Sequence, residues 1–88
     1  MHAPKMLSLA VEAARTAGYE VREEILDGAG GGHCLIHGKK CLLLDMTQTH
    51  REQLNDVLDA LRAEPQLKIS ELHPLLAASL QESFEKAA

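Results

Sequence analysis

Five side chains able to ligate a metal or act on a substrate fall within 18 positions: His33, Cys34, His37, Cys41 and His50. Zinc takes four such ligands converging on one point, about 2.0–2.3 Å from the metal. The spacing contains no CxxC motif and no HxxxH pair on a helical segment. On an extended strand, His33 and His37 share a face but stand roughly 13 Å apart, at ~3.3 Å per residue. His33 and Cys34 point to opposite faces. Cys34 and Cys41 share a face and meet diagonally across a hairpin. A metal site would therefore be built from Cys34 and Cys41 with His50 or a second chain, and zinc is the cofactor it would take. The competing reading has no cofactor: two buried cysteines act as small hydrophobes, and the histidines lie at the surface.

Cys34 also follows a glycine-rich loop and neighbours His33, so nucleophilic chemistry is a further reading. A reactive thiol needs a nearby cation or a helix N-terminus to lower its pKa. No ordering third group or oxyanion loop is recognisable around it. Redox pairing of Cys34 with Cys41 is the other thiol chemistry their proximity allows. The loop itself, Gly28–Gly32, joins two strands and matches neither GxGxxG nor a Walker motif. Phosphate-binding glycine loops lead into a helix N-terminus, so this one reads as a strand connection or bulge. Asp45 closes the third strand and is expected to hydrogen-bond the turn that begins the next helix. Glu23 and Glu24 read as solvated strand charges.

The elements that must position these residues follow from periodicity and punctuation. A first helix is expected from Pro4, suited to a first helical position, to Ala17. Its Met6, Ala10, Ala13 and Ala17 share a face, with Leu9 beside them, and Gly18 is the C-cap. A strand over Tyr19–Leu26 alternates with period two. A hairpin is expected from His33–His37 and Lys40–Asp45, turning at Gly38-Lys39 in a type II′ turn. That register sets His33 opposite Leu44, Leu35 opposite Leu42, Ile36 opposite Cys41 and Cys34 opposite Leu43. A second helix runs from His50 to Ala63, opened by a Thr49/Glu52 capping box, with Leu54, Val57, Leu58 and Leu61 as its apolar stripe. A third runs from Pro74 to Lys86, with Leu76, Leu80 and Phe84 on one face. The fold class is α+β, order α-β-β-β-α-α, one domain over residues 1–88. The sheet lies within 18–46 and is expected to be a three-stranded antiparallel meander.

Gly30-Gly31-Gly32-x-Cys34, then Gly38-Lys39, then Leu42-Leu43-Leu44-Asp45, then Glu52-Gln53-Leu54, resembles a pattern in short uncharacterised bacterial proteins. The resemblance spans about Tyr19 to Leu61. It implies a small bacterial cytoplasmic protein and attaches no activity, cofactor or catalytic residue.

Composition narrows the function classes. The 88 residues carry 13 acidic and 9 basic side chains, a formal net charge of −4, and no basic run beyond Lys39-Lys40. The electrostatic footprint of nucleic-acid binding is missing, and anionic membrane surfaces are disfavoured for the same reason. Tyr19 and Phe84 are the only aromatics, so few rings are offered for base or sugar stacking. No apolar stretch approaches the roughly 20 residues of a membrane span, and the N-terminal segment lacks a signal-peptide core. Two cysteines without a secretion signal suggest reduced thiols in a cytoplasm.

Both faces of the hairpin are apolar: Cys34, Ile36, Cys41 and Leu43 on one, Leu35, Leu42 and Leu44 on the other. Helices on one side only would leave one of these uncovered, and such patches mark partner or self-association surfaces. The reading is a non-catalytic interaction or dimerisation module, with Leu35, Leu42 and Leu44 as its contact and a homodimer or protein partner as its occupant. The alternative is a metal- or thiol-based site at Cys34 and Cys41 with the nearby histidines.

Overall fold

A computed structural model describes residues 3–87, with side-chain surroundings described for 3–81. The elements are α1 (Ala3–Thr16), β1 (Glu20–Glu24), β2 (Gly32–Ile36), β3 (Lys39–Asp45), α2 (His50–Arg62), a single 3-10 turn (Ile69–Glu71) and α3 (Pro74–Ala87). This is a small α+β fold with three helices and a three-stranded sheet.

The sheet is mixed, in the order β1-β3-β2, which corrects the antiparallel meander. β1 lies parallel to β3, with Val21 beside Leu42 and Glu23 beside Leu44; β2 pairs with β3 antiparallel. Side-chain chemistry explains the order. β3 carries Leu42 and Leu44 on one face and Cys41 and Leu43 on the other, so it sits in the middle. β1 is charged at Glu20, Arg22, Glu23 and Glu24, as suits an edge. Because β1 and β2 flank β3, the segment between them must cross the C-terminal end of β3, and the glycine-rich stretch makes that crossing. Asp27, Gly28 and Gly30 take φ of 52°, 79° and 84° there. A Cβ on Gly31 would stand 2.0 Å from the Leu43 carbonyl oxygen, so the crossing fits only without a side chain at that position.

The hairpin turns at His37-Gly38, one residue earlier than expected. Both residues have positive φ, 52° and 80°, the signature of a type I′ turn. The closing pair is Ile36 with Lys39. The register moves by two residues, so the faces keep their membership, but Cys34 now stands directly opposite Cys41 and His33 opposite Leu42.

α1 and α2 cover one face of the sheet. α1 buries Met6, Leu7, Ala10 and Ala14, a face rotated slightly from the expected one, with Ala13 and Ala17 partly buried. α2 buries the expected Leu54, Val57, Leu58 and Leu61. Its capping box is formed in both directions, Glu52 N–H to Thr49 Oγ1 at 3.2 Å and Thr49 N–H to Glu52 Oε1 at 3.1 Å. Leu76 and Leu80 of α3 complete the core; Phe84 lies outside the residues whose side chains are described. Leu42 and Leu44, expected at a contact surface, are 0% and 4% exposed within this core. Their apolar face is occupied by the chain's own helices, and each full leucine burial contributes about 1.5–3 kcal/mol. Leu35, on the edge strand β2, is 71% exposed.

Candidate functional site

Asp45 organises the end of the sheet where the crossing passes. Its buried carboxylate accepts the amides of Leu26, Gly28 and Gly30 at 3.2, 3.0 and 3.2 Å, and the amide and hydroxyl of Thr47 at 3.0 and 2.7 Å. Burial pushes the carboxyl up, but the hydrogen bonds from Thr47, Leu26 and Gly30 outweigh it and hold its pKa at about 2. All of its nearest donors belong to the loop and the turn. The role expected from the sequence, a turn acceptor, is seen, and it extends across 19 positions to Leu26.

On the face of the sheet away from the helices, Cys34 and Cys41 are register partners. Cys34 is exposed and Cys41 buried, and both are free thiols. Cys41 Sγ donates to Glu20 Oε2 at 3.7 Å from the adjacent β1. Burial first, and then the negative charge of Glu20, raise the pKa of the Cys41 thiol. In the sequence, Glu20 is simply one residue of the alternating strand over Tyr19–Leu26. Its place beside Cys41 depends on β1 pairing parallel to β3, for which the sequence carries no local signal.

Of the expected metal ligands, the structure brings Cys34 and Cys41 together and sets His50 elsewhere. His50 opens α2 and lines a groove on the helix side with Arg15 and Glu23. His33 is on the helix-facing side of β2, its ring edge-on to Tyr19 with centroids 6.5 Å apart. Among the described residues, no three His, Cys, Asp or Glu side chains gather as a metal would require.

Lys40 forms a second polar cluster at the other end of the sheet. Its Nζ donates to Glu64 Oε1 at 2.5 Å and to the Ala17 carbonyl at 2.6 Å, and lies 5.1 Å from the Tyr19 ring centre. Hydrogen bonds from Lys40 and from the Gln66 amide lower the Glu64 pKa. This ties β3 to the ends of α1 and α2, and its donors and acceptors are taken up by one another.

The two edges of the sheet differ in kind. β1 presents charges; β2, Gly-His-Cys-Leu-Ile, contains no acidic residue, lysine or arginine. Antiparallel alternation turns the backbone groups of every second β2 residue away from β3, and Leu35 stands exposed beside them. No helix among the described residues is long and apolar enough to cross a membrane. No protein-family model, curated protein or solved structure gives a significant match to this chain.

Proposed function

We propose that this chain is a non-catalytic dimerisation module in which a second copy pairs along the β2 edge. The observation that carries this reading is the uncharged edge strand with Leu35 71% exposed. Proteins guard free edges with charge, proline or cover, because unpaired N–H and C=O groups recruit further strands. Here β1 is guarded by charge, whereas β2 carries none and α2 packs against it from one face only. The occupant is a second copy for an electrostatic reason. At a net charge of −4, two copies repel weakly overall, and β2 is the edge at which no like charges meet. A strand pairing antiparallel with its own copy is isologous, the commonest closed symmetry of small oligomers. The leucine and the ladder bonds would supply affinity, as in other strand-addition interfaces.

The test is the solution mass of the full chain by sedimentation, with Leu35→Lys as the variant. Leu35 is exposed, so the lysine is tolerated in the monomer. The expected result is a dimer for the native chain, and a monomer with unchanged circular dichroism for L35K. A native chain that is monomeric at high concentration, or a variant that stays dimeric, overturns the reading.

A further inference from the structure

We infer that Cys34 and Cys41 form a thiol–disulfide exchange site that takes a low-molecular-weight disulfide as co-reactant, with Cys34 attacking, Cys41 closing and Glu20 handling the closing proton. Three observations converge on it. The cysteines are register partners, and directly opposed antiparallel residues have Cα atoms roughly 4.5–5.5 Å apart. That lies inside the roughly 4.4–6.8 Å that disulfides span. Their accessibility is unequal, with Cys34 exposed and Cys41 at 1%, so an incoming disulfide reaches one sulfur only. A carboxylate stands on the buried one, Glu20 Oε2 at 3.7 Å from Cys41 Sγ.

The exchange runs in two balanced steps. Cys34 releases its proton to solvent, and its thiolate attacks one sulfur of the small disulfide. That S–S bond breaks, and one small thiolate leaves and is protonated by solvent. Cys34 now holds the other half as a mixed disulfide. Cys41 then gives its proton to the Glu20 carboxylate and attacks Cys34 Sγ. The mixed bond breaks, and the second small thiolate leaves with the proton from Glu20. In sum, the protein dithiol is oxidised to a Cys34–Cys41 disulfide and one small disulfide is reduced to two thiols. Burial and the charge of Glu20, only partly offset by Arg22 at 3.5 Å from the same Glu20 oxygen, keep Cys41 protonated until this second step, which prevents it from competing for the first.

The experiment incubates the reduced full chain with oxidised glutathione and follows intact mass and disulfide mapping. The expected product is a chain lighter by two hydrogens, without bound glutathione, linked Cys34 to Cys41. Cys41→Ser is expected to stop with one glutathione on Cys34. Cys34→Ser, at an exposed site that does not disturb folding, is expected to stay unmodified over the same interval. Glu20→Gln is expected to accumulate the mixed disulfide by slowing closure several-fold, and to move the pH profile of closure upward without changing the first attack. A native chain that halts at the mixed disulfide, stays dithiol, or links Cys34 to Cys34 of another copy overturns the site. A Glu20→Gln chain that closes at the native rate overturns the acid–base role. Cys34 is the central residue of β2, so the same reaction is run on Leu35→Lys: closure in both chains separates this result from whether copies associate along β2.

Discussion

Asp45 accepts the amide of Gly28 at 3.0 Å, across 17 positions of sequence. The same carboxylate takes the Gly30 amide, so one buried side chain at the end of β3 holds the crossing that places β2 on the far side of the sheet. A carboxylate that accepts several N–H groups is stabilised in its charged form.

The pH dependence follows from that depressed pKa. Asp45 titrates at about 2 in the folded chain against an ordinary 3.8. A group whose folded pKa is depressed stabilises the fold above its unfolded value, and this stability is lost as pH falls through the folded value. Asp45→Asn keeps the size but turns an amide toward donors. Urea midpoints measured from neutral pH downward are expected to show the native chain well above D45N at pH 6. The gap should narrow below about pH 4 and shrink further toward about pH 2.

Leu42 is fully buried beneath α1 and α2. Leu42→Ala is expected to destabilise the chain by about 2–5 kcal/mol, a large part of the roughly 5–15 kcal/mol typical of a domain. Leu42→Glu is expected to abolish folding, because the carboxylate would be buried without a partner. Chemical denaturation of the first and circular dichroism of the second check this. A folded, monomeric L42E would move Leu42 from the core to a surface.

Two glycines of the crossing are expected to differ. Gly31→Ala places a methyl against the Leu43 carbonyl, 2.0 Å away before relaxation, and overpacking of that kind costs about 1–3 kcal/mol. Gly28→Ala meets no atom within 4 Å but must hold φ at +79°, a left-handed conformation costing about 1–2 kcal/mol. Thermal midpoints should rank native above G28A above G31A.

Thr49 caps α2 through its hydroxyl. Thr49→Ala is expected to cost about 1 kcal/mol without changing the oligomeric state or the reactivity of Cys34. Urea denaturation and thiol labelling of the same sample separate these effects.

Much of the fold was legible because it is local. The capping box at Thr49 and Glu52, the leucine stripe of α2 and the α+β element order each depend on residues within a few positions of one another. The face membership of the hairpin was legible too, since both turns are two-residue loops and the register moved by two, which keeps the alternation in phase. The hairpin register was not. The expected Gly38-Lys39 turn rested on glycine at the first turn position; the chain turns instead with His37 at positive φ, which is uncommon for a non-glycine residue. Leu42 and Leu44, expected at a contact surface, lie in the chain's own core for a related reason. Both faces of β3 are apolar, and nothing local says which one the helices take.

By itself, the sequence determined the helices, the strands and the side-chain alternation that puts both cysteines on one face, because these follow from backbone geometry and nearest-neighbour chemistry. Only the tertiary structure decided that β1 joins β3 rather than β2, and with it the pairing of Cys41 with Glu20, the burial of Leu42 and the exposure of Leu35. Strand order depends on which long-range burial is most favourable for the whole chain: a doubly apolar strand taken into the centre, held by a glycine crossing that the Asp45 carboxylate stabilises from beyond the reach of any local pattern.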